Sequence, residues 1–344
     1  MKAMRIEGDW GLENLKQVDL PDPEPGPGEV VIGMEAVSIN PRDLILASGG
    51  YGRVGGTLPL VPLCDGAGKI VAIGEGVEDF AVGDLVCPTF SRRWMRGLAN
   101  TDAYKGAHGG PVDGTAQEMM LIPANAIVRA PKHLSAEEAA TLPCAAITAW
   151  NALAEQGDVK PGDKVLLQGT GGVSLFSLLF AKAMGAEVYL ISSSDEKLER
   201  AKAMGADHLL NYAQVPDWHK SILKMTDGKG VDHVIEVGGS GTLEKSTAVV
   251  RYSGTVSMIG VLGGATLGGT GGEFGLGRVV TRNLRLQGVT CGSKEMFENM
   301  VRAMELHQIR PAIDAAAEFK LKDLPKALKS LPEGKHFGKI VGIV

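Results

Sequence analysis

Cysteine is scarce in this chain: four in 344 residues (Cys64, Cys87, Cys144 and Cys291), far apart and without a Cys-x-x-Cys spacing. That excludes a disulfide framework and points to reduced thiols in a cytoplasmic protein. No uncharged apolar run reaches the roughly 18 residues that a bilayer span needs, so no membrane association is expected. Positive charge is not in excess either: 35 Lys and Arg stand against 40 Asp and Glu, a net charge of -5, which argues against a nucleic-acid partner. Arg92, Arg93 and Arg96 form the one small basic cluster, and it reads as a solvated loop. The opening Met1-Lys2-Ala3-Met4-Arg5 leads into no apolar core of a secretory signal. What the chain does have is 44% hydrophobic residues over a length beyond the usual single domain, which predicts two globular domains.

The first third reads as β-rich. A Pro/Gly/acid cluster at 21–28 cannot be helix interior, and short strands are expected at 30–37, 69–73, 84–87 and 116–122, separated by glycine-bearing turns. Residues 90–114 read as a long polar loop. The character changes at Ser135-Ala136-Glu137-Glu138, which has the form of a capping box. A helix is expected there, broken by Pro143, and a second over 145–154.

Strand and helix then alternate. Strands are expected at 164–168, 187–192, 208–211, 233–237, 256–259 and 284–289, with helices at 173–184 and 195–204. The words Ala-Lys-Ala-Met-Gly-Ala occur twice, at 181–186 and 201–206, and each helix ends on a glycine where the backbone turns left-handed. Successive βα units of this kind give a parallel sheet with right-handed crossovers, a doubly wound α/β domain. The tail predicts a helix at 294–307, a strand at 319–321, a helix at 324–331 and a last strand at 339–344. The glycine-dense stretch 260–277 reads as a loop, mobile at a cleft mouth or merely on the surface.

The decisive segment is Val165-Leu166-Leu167-Gln168-Gly169-Thr170-Gly171-Gly172-Val173-Ser174. A strand runs into a glycine turn that opens a helix. Gly169 permits the turn and Gly171 lets the backbone approach a pyrophosphate; the free amides and dipole at the helix start, with Gly172 and Val173, hold the anion. Ser174 stands where a third glycine is usual, and it is small enough to keep helix and strand close. An acid at the tip of the second strand would select NAD; here the tip is Ser192-Ser193-Ser194, followed by Asp195 and Lys197. The hydroxyls and Lys197 can hold a 2′-phosphate, which favours NADP(H). Asp195 bending inward would restore NAD(H) binding, and Ser194 also suits a helix cap.

The words Pro25-Gly26-Pro27-Gly28-Glu29-Val30-Val31, Gly66-Ala67-Gly68-Lys69-Ile70-Val71, Gly74-Glu75-Gly76-Val77, Val82-Gly83-Asp84-Leu85-Val86 and Thr148-Ala149-Trp150, together with the glycine loop, carry a resemblance along essentially the whole chain. It resembles the medium-chain dehydrogenase/reductase superfamily, particularly its zinc-free quinone oxidoreductase-like branch. The resemblance implies a doubly wound Rossmann sheet (135–293) inserted in a GroES-like β-barrel catalytic domain built from 1–134 and 294–344, with the cofactor in the cleft between them. It places Asn40 and Arg42 at the reacting end: Asn40 donating to a carbonyl or positioning the cofactor, Arg42 stabilising an enolate or pairing with Asp43 at the surface. It carries Thr148 to the nicotinamide face, Lys197 and Tyr212 to the adenosine phosphate, Gly238, Gly260, Val261, Cys291 and Gly292 to the cofactor, and Lys339 to the phosphates.

The superfamily's zinc enzymes use Cys, a His-Glu pair and a second Cys. Those positions here are Asn40, Cys64-Asp65 and Cys144, and residues 90–114 lack the cysteines of a structural zinc loop. The implied activity is zinc-free hydride transfer from NADP(H) to a conjugated carbonyl or quinone-type small molecule. Two alternatives stand beside it: an alcohol dehydrogenase with zinc on Cys64, Asp65 and Cys144, and an NADPH-binding sensor without turnover. A homodimer pairing through the last Rossmann strand is expected.

Overall fold

The computed structural model describes residues 1–261, 264 and 275–344. It divides into two compact units: one from Met1–Ile147 and Cys291–Val344, the other Thr148–Thr290. The first crossing therefore falls after Ile147 and not at residue 134, because the segment that follows the Ser135 cap packs on the β-rich unit.

In chain order, β1 (Lys2–Ile6) pairs antiparallel with β2 (Leu15–Asp19). β3 (Glu29–Ile39) runs into α1 (Pro41–Ala47), followed by β4 (Asp65–Ile73), β5 (Leu85–Pro88), β6 (Met119–Pro123) and β7 (Ile127–Arg129). β3 is the spine: it pairs with β4 along its length and with β6 over its first half, and two register shifts against β4 bend it. Such bulges let one strand serve two sheet directions. α2 (Ala136–Ala139) starts on Ser135, whose hydroxyl and the Glu138 carboxylate form the expected capping box. The single helix expected over 145–154 is replaced by a short α3 (Ile147–Trp150) between two wide π-type turns, Leu142–Ala146 and Asn151–Glu155. Pro143 has no N–H to give, and Gln156 N–H reaches back five residues to the Asn151 carbonyl, so regular α-helical bonding does not carry through.

The second unit alternates strictly: β8 (Lys164–Gln168), α4 (Gly172–Ala183), β9 (Glu187–Ser192), α5 (Asp195–Ala203), β10 (His208–Asn211), α6 (Trp218–Met225), β11 (Val231–Glu236), α7 (Leu243–Val249), β12 (Val250–Met258), α8 (Leu276–Thr281) and β13 (Arg285–Gly288). The six strands are parallel in the order β10-β9-β8-β11-β12-β13. That order reverses direction between β8 and β11, the switch point of a Rossmann sheet. Its central strands β8, β9 and β11 are buried on both faces, which is why they read as apolar runs without alternation. The glycine-dense loop expected at 260–277 lies largely outside the described residues.

The chain returns to the first unit through α9 (Lys294–His307), β14 (Phe319–Lys320), α10 (Leu324–Ser330) and β15 (Ile340–Ile343). β15 pairs antiparallel with the second half of β3, so the chain's end completes a seven-stranded sheet begun at residue 29. Residues 90–114 are no exposed loop throughout: Trp94, Ala103, Ala107 and His108 are buried.

Candidate functional site

In the second unit the glycine turn follows β8. Gly169 has φ 73, and its N–H bonds the Ile191 carbonyl of β9 at 2.7 Å. The first bond within α4 is donated by Leu175 to Gly171, so the amides of Gly172, Val173 and Ser174 precede it and point out of the helix start. A methyl group at Gly169 or Gly171 would meet nothing within 4 Å, so open space lies in front of these amides. An anion fits that cradle. Ser174, in the third-glycine position, is 2% exposed and donates to the Gln168 carbonyl at 2.6 Å, fastening helix to strand.

The other residues expected at a dinucleotide follow the C-terminal ends of neighbouring strands. Ser192 closes β9 and is buried, Ser193 is exposed, and the Ser194 hydroxyl accepts from Lys197 N–H as the cap of α5. Tyr212, beyond β10, is exposed and its N–H bonds the Ser192 carbonyl, which brings the two tips together. The two oxygens of Asp195 accept from Asn211, the last residue of β10, at 2.7 Å and from Gln214 at 2.8 Å. Gly238 and Gly260 follow β11 and β12; a methyl at Gly260 would lie 2.0 Å from the Val237 carbonyl oxygen, so only glycine fits. Val261 is exposed, and Thr148 is buried at the head of this unit.

One residue at the switch point escaped the sequence reading. Glu236, the last residue of β11, is 1% exposed, and its carboxylate accepts from the amides of Gly238 (2.8 Å) and Gly239 (3.0 Å), from Gln168 (2.9 Å), and from the Thr242 and Ser246 hydroxyls. It ties the end of β8, one residue before Gly169, to the end of β11.

The first unit holds the remaining expected residues around a buried polar centre. β3–β4 register sets Ser38 opposite Asp65, and β15–β3 register sets Ile340 opposite Ile39. Asp65, fully buried, accepts at Oδ2 from Ser38 (2.6 Å), Asn40 Nδ2 (2.9 Å) and Lys339 Nζ (2.9 Å). Lys339 also donates to Asn40 Oδ1 at 2.6 Å and the Ile39 carbonyl at 3.0 Å. This corrects the expectation that Lys339 binds phosphate: it is 3% exposed and its three N–H donors all have internal acceptors. Burial opposes its charge, but Asp65 outweighs burial and its pKa is raised. Both ends of the Asn40 amide are likewise engaged inside the unit, by Asp65 and by Lys339.

Arg42 on α1 pairs with Asp43 at 3.5 Å, not at the surface as expected but with both side chains largely buried. It donates to the His108 carbonyl at 3.1 Å and lies over the Phe90 ring. Burial works against its charge, but the acidic groups around it, the Asp43 carboxylate among them, raise its pKa and it stays protonated. Burial pushes Asp43 up to about 6 despite Arg42. His108, also missed in the sequence, is pushed down to about 4 by burial. Its Nδ1 donates to the Asp113 carbonyl, leaving Nε2 a buried acceptor with no hydrogen-bond partner among the described residues.

Cys64, Asp65 and Cys144 each offer a ligand atom, all within 4.8 Å of one another. Cys144 Sγ is 3.7 Å from Cys291 Sγ, and Cys291 has φ 25. Burial raises the Cys64 pKa; the hydrogen bond with Cys291 raises that of Cys144. Gly292 presses against Ile147, where a methyl would sit 2.6 Å from Cγ1.

These two arrangements match known families. An alcohol dehydrogenase GroES-like domain matches residues 26–132, and a zinc-binding dehydrogenase family matches 172–305. The chain belongs to the medium-chain dehydrogenase/reductase superfamily. It is 44% identical, over 96% of its length and 95% of the relative's, to a zinc-type alcohol dehydrogenase-like protein of Schizosaccharomyces pombe. An acryloyl-coenzyme A reductase of Sulfurisphaera tokodaii is 25% identical over 99% of both chains. The crystal structure of a putative alcohol dehydrogenase from Sinorhizobium meliloti 1021 superposes with a TM-score of 0.90 at 37% identity, covering 100% of this chain and 98% of that one. The protein is an oxidoreductase of this superfamily that binds a nicotinamide cofactor. Among the described residues no helix is long and apolar enough to cross a membrane.

Proposed function

We propose that this oxidoreductase transfers hydride from NADPH to a conjugated carbonyl or quinone-type substrate without a catalytic zinc. The observation that carries the reading is Lys339 Nζ, 2.9 Å from Asp65 Oδ2. An ammonium already neutralises the carboxylate that a metal would need, and Asn40 stands where the superfamily's zinc enzymes have a cysteine. A second cation there would meet the first at close range.

The bound dinucleotide supplies the hydride. The chain's part is placement and electrostatics. The amides of Gly172, Val173 and Ser174 hold the diphosphate, and Gln168 and Glu236 hold the strand ends that present them. Ser192, Ser193, Lys197 and Tyr212 meet the adenosine end; the engagement of Asp195 by Asn211 and Gln214 supports NADP(H) over NAD(H). Arg42, charged at every working pH, is the donor for a developing enolate oxygen. Neutral His108 has its one ring N–H on the Asp113 carbonyl, which leaves the product proton to water or to a substrate-specific group. Conjugated substrates gain support from the acryloyl-coenzyme A reductase relative. Among the described residues strand β13 pairs with β12 on one side only, which suits a homodimer joined through that edge, testable by size-exclusion chromatography with light scattering.

A zinc-dependent alcohol dehydrogenase remains the second reading, favoured by the buried Asp65 Oδ1, which has no hydrogen-bond partner among the described residues, beside two thiols. Steady-state assays with enones, quinones and simple ketones, run with elemental analysis of the same preparation, separate the two. Turnover of enones or quinones by zinc-free protein is expected. Ketone-only activity that tracks stoichiometric zinc would overturn the proposal.

A further inference from the structure

We infer that Cys144 and Cys291 form a reversible oxidation site, closing to a disulfide under hydrogen peroxide. The two sulfurs lie 3.7 Å apart, in van der Waals contact, and a disulfide brings them to about 2.05 Å. Their places in the chain are distinctive. Cys144 stands just before the first unit ends at Ile147, and Cys291 is the residue at which the chain re-enters that unit. A bond between them would close a loop containing the whole of Thr148–Thr290. Cys291 has φ 25, a backbone state that L side chains rarely adopt, so its sulfur is held where it is against a local preference.

Three features select this pair among the four cysteines. Cys144 is half-buried while Cys64, Cys87 and Cys291 are buried, so an oxidant reaches Cys144 first. Cys87 hydrogen-bonds the Ala139 carbonyl. Cys64 is fully buried immediately before β4, where strand pairing fixes its backbone and Asn40 Nδ2 approaches its sulfur at 3.9 Å.

The chemistry balances in two steps. Peroxide oxidises the Cys144 thiol to a sulfenic acid and is reduced to one water. The Cys291 sulfur then attacks the Cys144 sulfur; the S–S bond forms, the S–O bond breaks, and the hydroxyl leaves with the Cys291 proton as a second water. Two electrons pass from the sulfurs to the peroxide. Dithiothreitol reverses the bond by thiol exchange.

The test is peptide mass spectrometry of the full-length protein after hydrogen peroxide, with quenching by a thiol alkylator before digestion. The expected result is a peptide pair linked through Cys144 and Cys291, lighter by two hydrogens, that dithiothreitol abolishes. The same link is expected in Cys64→Ser. A Cys64–Cys144 link in its place, loss of the link in folded Cys64→Ser, or sulfinic acid on Cys144 with no link in the wild-type chain would each overturn the proposal.

Discussion

Two buried carboxylates, one in each unit, are satisfied in opposite ways. Asp65 faces an ammonium, a neutral amide and a hydroxyl, and leaves one oxygen bare. Glu236 forms no ion pair among the described residues; two backbone amides, a side-chain amide and two hydroxyls surround both its oxygens. Charge compensation needs the partner's charge brought into the core, whereas neutral donors can be recruited from nearby chain. The partners differ accordingly in reach: Lys339 is 274 residues from Asp65, while Gln168 and Ser246 are 68 and 10 residues from Glu236. The first arrangement ties the chain's end into its beginning. The second shapes a local turn.

That contrast breaks most sharply at Lys339. Lys339→Met strands a charged Asp65 in the core and should cost about 3–5 kcal/mol of unfolding free energy, measured by urea denaturation. Adding Asp65→Asn should recover much of the loss; strict additivity of the two changes would mean that the pair is not coupled.

His108 sharpens the same point, being a buried group in the first unit with no compensating charge. It takes a proton at about pH 4 when folded and near 6.5 when unfolded. Its contribution is therefore complete above pH 6.5 and disappears as the pH falls toward 4, a difference of about 3 kcal/mol. His108→Asn keeps a donor for the Asp113 carbonyl and should flatten that part of the stability–pH curve. An unchanged slope would assign the acid sensitivity elsewhere.

In the second unit the effects should be smaller. Glu236→Gln keeps the shape but turns one oxygen into a donor facing Gln168 and Ser246, at a cost of about 1–3 kcal/mol. Ser174→Gly restores the common third glycine yet removes the bond to the Gln168 carbonyl and adds helix entropy. A loss of roughly 1–2 kcal/mol is expected, and a gain in stability would mean that the hydroxyl does not fasten the helix.

The same difference in reach decided what could be read from sequence. β8, β9, β10 and α9 begin and end where periodicity and caps put them, because each is set by neighbours within a few residues. β1 and β2 went unread; Leu15–Asp19 buries only one residue fully, and its partner supplies the order. The break at Leu142–Glu155 depends on backbone bonds five residues long, which carry no apolar signature. Gly169, Gly171 and the serines of the β9 tip were visible because strand, turn and helix are contiguous. The internal engagement of Lys339 and Asn40 was not, since it requires the register of β3 with both β4 and β15. Glu236 gave no signal beyond an acid closing an apolar strand.

The central claim is that amides at the start of α4 hold a dinucleotide diphosphate, and titration of NADPH fluorescence with the purified protein tests it most directly. Wild-type protein should shift or quench the signal saturably, and Gly171→Arg, which fills the open space before those amides, should weaken binding at least about 100-fold, close to 3 kcal/mol. Equal titration curves for the two proteins, with both folded, would contradict the account.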